Sequence, residues 1–146
     1  MDERVMDGGE AILQALRDLG VDYIFSSPGS DWGSVWEALA RQKVGNIPGP
    51  AYLSCGHETL AVDLAAGYTS MTGRMQAVLL HAGVGLMQGA MGIHGCKLSE
   101  IPLVIMSGES TTFGDLEGFS PGAQWYTNHN AMGGLHFGHL CRVIDR

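Results

Sequence analysis

The sequence predicts an α/β fold in which a parallel sheet is sandwiched by helices, and three observations carry that expectation. Four short apolar runs begin at Val21, Ala51, Ala77 and Leu103, so that 26 to 30 residues separate the start of one from the next. The segments between them place apolar residues three and four apart, the period of a helix with one buried face. Gly or Pro punctuates nearly every junction. A strand, a helix and a second strand of the same direction require a crossover, and repeated crossovers of this length give a parallel sheet covered on both faces.

The elements follow in order. Ile12, Ala15, Leu16 and Leu19 form one apolar face of a helix over Asp7 to Leu19, and Gly20 is a suitable C-terminal cap. Val21 to Phe25 reads as a buried strand leading into SSPGSDW, where Pro28 and Gly29 turn the chain and Ser30 or Asp31 can cap a helix over Gly33 to Arg41. Gly45 to Pro50 is a loop, Ala51 to Cys55 the second strand, and Thr59 to Met71 a helix with Leu60, Leu64, Ala65 and Tyr68 in register and Gly73 as its stop. Ala77 to Leu80 is the third strand. The helix after it, Gly85 to Cys96, carries Gly85, Gly89, Ala90 and Gly92, small residues that lower stability unless something packs closely on them, within the domain or across a subunit contact. Leu103 to Met106 is the fourth strand. Residues 111 to 134 lack a period, and a helix is expected over His136 to Arg146 with no strand after it, so the sheet is incomplete at its C-terminus.

Composition narrows the functional classes. A chain of 146 residues with 45% hydrophobic content supports one domain with a real core, and 16% charged residues with 22 glycines fits neither a disordered acidic chain nor a coiled coil. A net charge of -7 without any basic stripe argues against a nucleic-acid partner. Cys55, Cys96 and Cys141 are widely spaced and show no metal or redox pairing, which suits a reducing compartment. The first residues lack an apolar signal core and no run is long enough to cross a membrane, so a cytoplasmic protein is expected.

Ligands of open parallel sheets bind beyond the carboxyl ends of the strands. Those ends present Ser26 to Ser30, Gly56 to Glu58, His81 to Gly85, and Ser107 to Glu109, which together hold most of the candidate chemistry. Glu58 is either a first-turn charge favoured by the helix dipole or a catalytic carboxylate, and His81 at the same edge supports the second reading. Three rival motifs are weaker. Gly83, Gly85 and Gly89 are one residue too far apart for a dinucleotide fingerprint. His129, His136, His139 and Cys141 match no standard zinc spacing, so no metal ligand is assigned. Cys55 and His57, close in sequence at a strand end, point in different directions, and a buried inert thiol is the expectation.

GHETLAVDLAAGYTSMTG, the segment around Glu58, resembles the Glu region of the pyrimidine-binding domain of thiamine diphosphate enzymes of the acetolactate synthase and benzoylformate decarboxylase group. So do GGEAILQALRDLGVDYIFSSPGS before it and LLHAGVGLMQGAMGIHGCKLSEIPLVIMSGE after it, and the resemblance covers residues 8 to 110. It implies that Glu58 hydrogen-bonds N1' of the cofactor's aminopyrimidine, which favours protonation there and makes the 4'-amino group acidic. It further implies that Pro28, Gly29 and Gly83 contact the cofactor, that His81 relays protons, and that Ser30 contacts the carboxylate of a 2-oxo acid substrate. Gln124 is a second substrate-binding candidate in a loop that more loosely resembles the synthase branch. Ser30 and His81 look most like the decarboxylase branch, whereas acetolactate synthase chemistry remains the alternative. In this family the diphosphate and Mg2+ are held by a GDG-containing domain that is absent from the 146 residues. The resemblance therefore makes residues 1 to 146 a pyrimidine-binding domain, a fragment or one subunit of a split enzyme, inactive alone and working in a homo- or hetero-oligomer with a chain that carries the diphosphate-binding domain. A non-catalytic module that kept the fold is the reading from another class.

Overall fold

A computed structural model of the chain describes residues 5–27 and 29–108. Helix α1, Gly8–Asp18, starts at Asp7, whose carboxylate accepts the Glu10 N–H at 2.8 Å, and it closes through Gly20 in the left-handed region at φ 69°. Val21 belongs to this closure, its N–H bonding to the Leu16 carbonyl at 3.0 Å, so strand β1 is Tyr23–Ser26 rather than starting at Val21. One 3-10 turn, Ser30–Trp32, precedes α2, Gly33–Val44, which runs three residues beyond the expected end because Asn46, at φ 48°, provides the left-handed stop. Neither Ser30 nor Asp31 caps α2 as expected from the sequence: Trp32 occupies the cap position with no side-chain bond. The remaining elements are β2, Ala51–Ser54; α3, Glu58–Thr72, stopped by Gly73 at φ 69°; β3, Gln76–Leu80; α4, Val84–Leu98; and β4, Leu103–Ser107. The expected helix over 136–146 and the aperiodic stretch 111–134 lie outside the described residues.

All the described strands are parallel, in the order β2-β1-β3-β4, as the α/β reading requires. Pleating sends successive side chains to opposite faces and so divides the core in two. Ile24, Ala77 and Leu79 face α1 and α2 together with Leu13, Leu16, Trp32 and Val35. Phe25, Val78 and Leu80 face α3 and α4 together with Ala61, Val62, Ala65 and Ile93. Each face is thus covered by a helix pair, and β3 is buried along its whole length.

Two helical faces differ from expectation. In α1 the buried stripe is Gly9, Leu13 and Leu16, while Ala15 and Leu19 are exposed. In α3 it is Ala61, Val62, Ala65 and Thr69, while Leu60 and Leu64 remain nearly half exposed. Close approach decides both cases. A Cβ at Gly9 would lie 2.2 Å from the Ser34 carbonyl oxygen, so α1 meets α2 almost backbone to backbone. A Cβ at Gly92 would lie 2.9 Å from Val62 Cγ1, and one at Gly89 3.0 Å from Leu80 Cδ1. Gly89 and Gly92 of α4 therefore seat that helix against α3 and β3 of its own domain, the first of the two packings left open by the sequence.

Buried polar groups complete the sheet. Gln76, fully buried, accepts the Tyr23 N–H at 2.8 Å and donates to the Arg74 carbonyl at 2.9 Å, pairing backbone groups beyond the β1–β3 ladder. At the opposite end Ser26 Oγ donates to the Leu79 carbonyl and Trp32 Nε1 to the Leu80 carbonyl, both at 2.9 Å. These bonds tie the chain leaving β1 to the end of β3. No helix among the described residues is long and apolar enough to cross a membrane.

Candidate functional site

The chain steps outward from β1 to β2 and returns to β3 on the other side of β1. A reversal of this kind opens a crevice between the segments that follow the two central strands. Here those segments are Ser27 to Trp32 after β1 and His81 to Gly83 after β3.

Asp31 and His81 meet across that crevice. His81 Nδ1 lies 2.5 Å from Asp31 Oδ1, and Asp31 Oδ2 accepts the Ala82 N–H at 3.2 Å. Glycines enclose the pair. A Cβ at Gly29 would lie 2.3 Å from His81 Nδ1, and one at Gly108, just past β4, would lie 1.9 Å from Asp31 Oδ2. Gly29 has an extended backbone, φ -139° and ψ 150°, so space rather than conformation requires glycine there. Ser107 Oγ donates to the His81 carbonyl at 3.3 Å, which brings the end of β4 to the same place.

Glu58 stands at the first position of α3, half-buried. The helix is set by His57 Nδ1, which accepts the Thr59 N–H at 3.1 Å, and by Thr59 Oγ1, which donates to the Gln88 carbonyl of α4 at 2.8 Å. Across from it Gly83, with φ 60° and ψ -80°, turns the chain out of β3 into α4. A Cβ at Gly85 would lie 2.9 Å from His81 Cβ and 3.6 Å from Glu58 Cγ, so this bare position in the first turn of α4 is bordered by both side chains.

The structure thus brings Glu58, His81, Gly29 and Gly83 to one end of the sheet, and Ser30 lies exposed at the same end. Pro28 and Gln124 lie outside the described residues, as does the His129, His136, His139 and Cys141 group. Sequence reasoning missed Asp31, treating it only as a helix cap. A signal was present in the acidic residue directly after the Pro-Gly-Ser turn, but its pairing with a histidine fifty positions away is a product of the fold.

The rival thiol motif does not form a site. Cys55 is buried, and burial pushes its thiol up from the ordinary range, while the His57 ring is engaged at the start of α3. Among the described residues no three His, Cys, Asp or Glu side chains gather so as to hold a metal ion. An open groove of about 560 Å³ lies between α1 and α2, lined by Leu13, Arg17, Arg41 and Gln42 among others, and contains none of the site residues.

Comparison with known proteins gives this end of the sheet a family context. Residues 6–129 match the family model of the thiamine pyrophosphate enzyme, N-terminal TPP binding domain. The acetolactate synthase large subunit of Haemophilus influenzae is 33% identical over 104 residues, covering 71% of this chain and 17% of that protein. Acetolactate synthase isozyme 3 large subunit of Escherichia coli is 32% identical over 108 residues, covering 74% and 18%. The chain thus spans less than a fifth of the length of these relatives. Among solved structures, the thiamine diphosphate-dependent 4-hydroxybenzoylformate decarboxylase of Rhodococcus jostii RHA1 superposes with a TM-score of 0.60 at 26% identity, covering 73% of this chain and 19% of that one. A parallel sheet with its polar residues gathered at one end and a family match over most of the chain agree, and the chain belongs to the thiamine pyrophosphate enzyme family through its N-terminal TPP-binding domain.

Proposed function

We propose that this domain is the pyrimidine-binding half of a thiamine diphosphate-dependent 2-oxo acid decarboxylase or carboligase, with Glu58 as the activating carboxylate. The observation that carries the reading is the position of Glu58 and His81 on either border of Gly85, beside the crevice between β1 and β3. A purely structural first-turn glutamate has no need of a proton-carrying side chain and a glycine cradle beside it.

The residues suit the aminopyrimidine of the cofactor. A half-buried carboxyl group is the right chemistry for a ring nitrogen that is to share a proton, and the missing Cβ at Gly85 lets the first turn of α4 pack close against His81, next to Glu58. When bound, thiamine diphosphate supplies the carbanion chemistry at a 2-oxo group that no side chain of the chain supplies. Glu58 holds a proton at its carboxyl oxygen against the ring, and partial exclusion of water strengthens that bond. His81 moves a proton at Nε2, to and from the reacting end of the substrate. Ser30, exposed at the same edge, offers a hydroxyl to the substrate carboxylate. Gly29 and Gly83 let backbone approach the cofactor, and Pro28 and Gln124 are assigned as a further cofactor contact and a second substrate contact. The diphosphate and Mg2+ are assigned to a GDG-containing domain from the rest of a longer chain or from a partner, in a homo- or hetero-oligomer.

The test is Glu58→Gln in the protein assembled with its diphosphate-binding domain, fed 2-oxo acids in the presence of thiamine diphosphate and Mg2+. Turnover is expected to fall about 10²- to 10⁴-fold, the usual share of a positioned acid or base, with the melting temperature unchanged. Undiminished turnover would overturn the assignment.

A second reading, acetolactate synthase-type carboligation, is favoured by the relatives that are about one-third identical. Product analysis separates the two: release of carbon dioxide with an aldehyde supports the decarboxylase, and a new carbon–carbon bond between two 2-oxo acids supports the synthase.

A further inference from the structure

Asp31 contributes nothing to its own helix. It lies in the 3-10 turn before α2, and its carboxylate turns away to the end of β3. One oxygen is committed to the Ala82 N–H, which leaves the other for His81 Nδ1. An ionised carboxylate can only accept, so the proton of this bond belongs to Nδ1 and, in the neutral ring, Nε2 carries the lone pair. Among the described residues the only hydrogen bond of the His81 side chain is the one at Nδ1, and Nε2 has no partner. The Asp31 side chain is 13% exposed and that of His81 37%, so the carboxylate is the sheltered member and the imidazole the one a ligand can reach. The shelter is specific, since a side chain at Gly29 would meet both paired atoms and one at Gly108 would meet the other Asp31 oxygen, Oδ2.

From this geometry we infer that Asp31 is a positioning residue for His81: it fixes the tautomer and orientation that make Nε2 a base, and it stabilises the imidazolium once Nε2 has taken a proton. The inference rests on the proposed role of His81 as a proton carrier. In the forward transfer the Nε2 lone pair forms the new N–H bond, the substrate group keeps the electrons of the bond it loses, and the positive charge on the ring sits beside the Asp31 carboxylate, which stays ionised. The return transfer reverses these changes, so no outside oxidant or base is needed.

The experiment begins with cofactor-free protein labelled with ¹⁵N-histidine and observed by long-range ¹H–¹⁵N correlation at mildly alkaline pH, with His81→Gln identifying the signal. The expected signature is Nδ1–H with an unprotonated Nε2. In Asp31→Asn an amide that can donate to the ring replaces the acceptor, so the signature moves toward Nε2–H, and turnover of the assembled enzyme falls by at least about tenfold with KM little changed. Asp31→Ser serves as a second variant where the amide disturbs folding. A wild-type ring protonated on Nε2 would overturn the inference without any variant, as would an Asp31→Asn protein with unchanged tautomer and rate. Glu58→Gln run in parallel separates the two ideas. If that variant keeps full turnover, the cofactor reading fails while the tautomer in cofactor-free protein still decides the role of Asp31. If Glu58→Gln is inactive and Asp31→Asn unaltered, the cofactor reading stands and the positioning role falls.

Discussion

Alanine at Gly92 and alanine at Gly95 are the same substitution one turn apart in α4, and the structure assigns them opposite signs. Both replace an interior helical glycine, which by propensity alone gains about 1 kcal/mol. At Gly95 no atom of the described residues lies within 4 Å of the new methyl, so most of that gain survives and the expected stabilisation is about 0.5–1 kcal/mol. At Gly92 the methyl meets Val62 Cγ1 at 2.9 Å and Val62 Cβ at 3.1 Å. Asp63 Oδ1, at 3.1 Å, can swing into water because its residue is exposed, but Val62 is fully buried and β-branched in a helix, with one favoured rotamer and nowhere to turn. Overpacking of this kind costs about 1–3 kcal/mol, so the net effect at Gly92 is a loss of up to about 2 kcal/mol. The two variants should therefore differ by roughly 2 kcal/mol, or about 8 °C in melting temperature for a chain of this size. Thermal unfolding followed by circular dichroism reads the difference directly. Equal stability of Gly92→Ala and Gly95→Ala would refute the close seating of α4 on α3, and with it the account of why this helix carries glycines.

Two further outcomes test the fold elsewhere. Gln76→Met keeps the volume of a fully buried side chain but removes the acceptor of the Tyr23 N–H, and should cost about 1–3 kcal/mol in urea unfolding; a neutral effect would mean that this N–H finds another partner. Burial holds the thiols of Cys55 and Cys96 above their ordinary range, with the Asp63 carboxylate adding to the effect at Cys96. A folded-state value above the unfolded one gives stability that is complete below the ordinary thiol value, about 8.5, and is lost as the pH rises from there through the raised value. Denaturation midpoints should accordingly fall across the alkaline range, together with slow alkylation of both thiols in the native state; midpoints that hold steady or rise would contradict the burial.

Local chemistry was legible at the helix stops made by glycine. Gly20 and Gly73 were readable as helix stops because glycine adopts the left-handed region without strain, whereas Asn46 and Glu100, which take the same conformation at φ 48° and 56°, gave no comparable sign. Which face of α3 is buried was not readable. Leu60 and Leu64 are larger than Ala61 and Ala65, and a pattern judged by size alone favours them. The core instead takes the small residues, because α4 comes close enough for Val62 to touch its glycines. In the site, Glu58 and His81 could be picked out by type and by their place after apolar runs. Their common border at Gly85 could not, since it depends on the seating of the first turn of α4.

The sequence by itself determined the alternation of strands and helices, the parallel sense of the sheet, and the family, because each rests on periodicity, crossover length or a run of side chains that local order preserves. Tertiary structure alone decided the strand order β2-β1-β3-β4, the helix faces turned inward, and the meeting of Asp31 with His81. Those outcomes depend on which surfaces pack when the whole sheet closes, and a contact between residues fifty positions apart is fixed by that packing rather than by any feature of either segment.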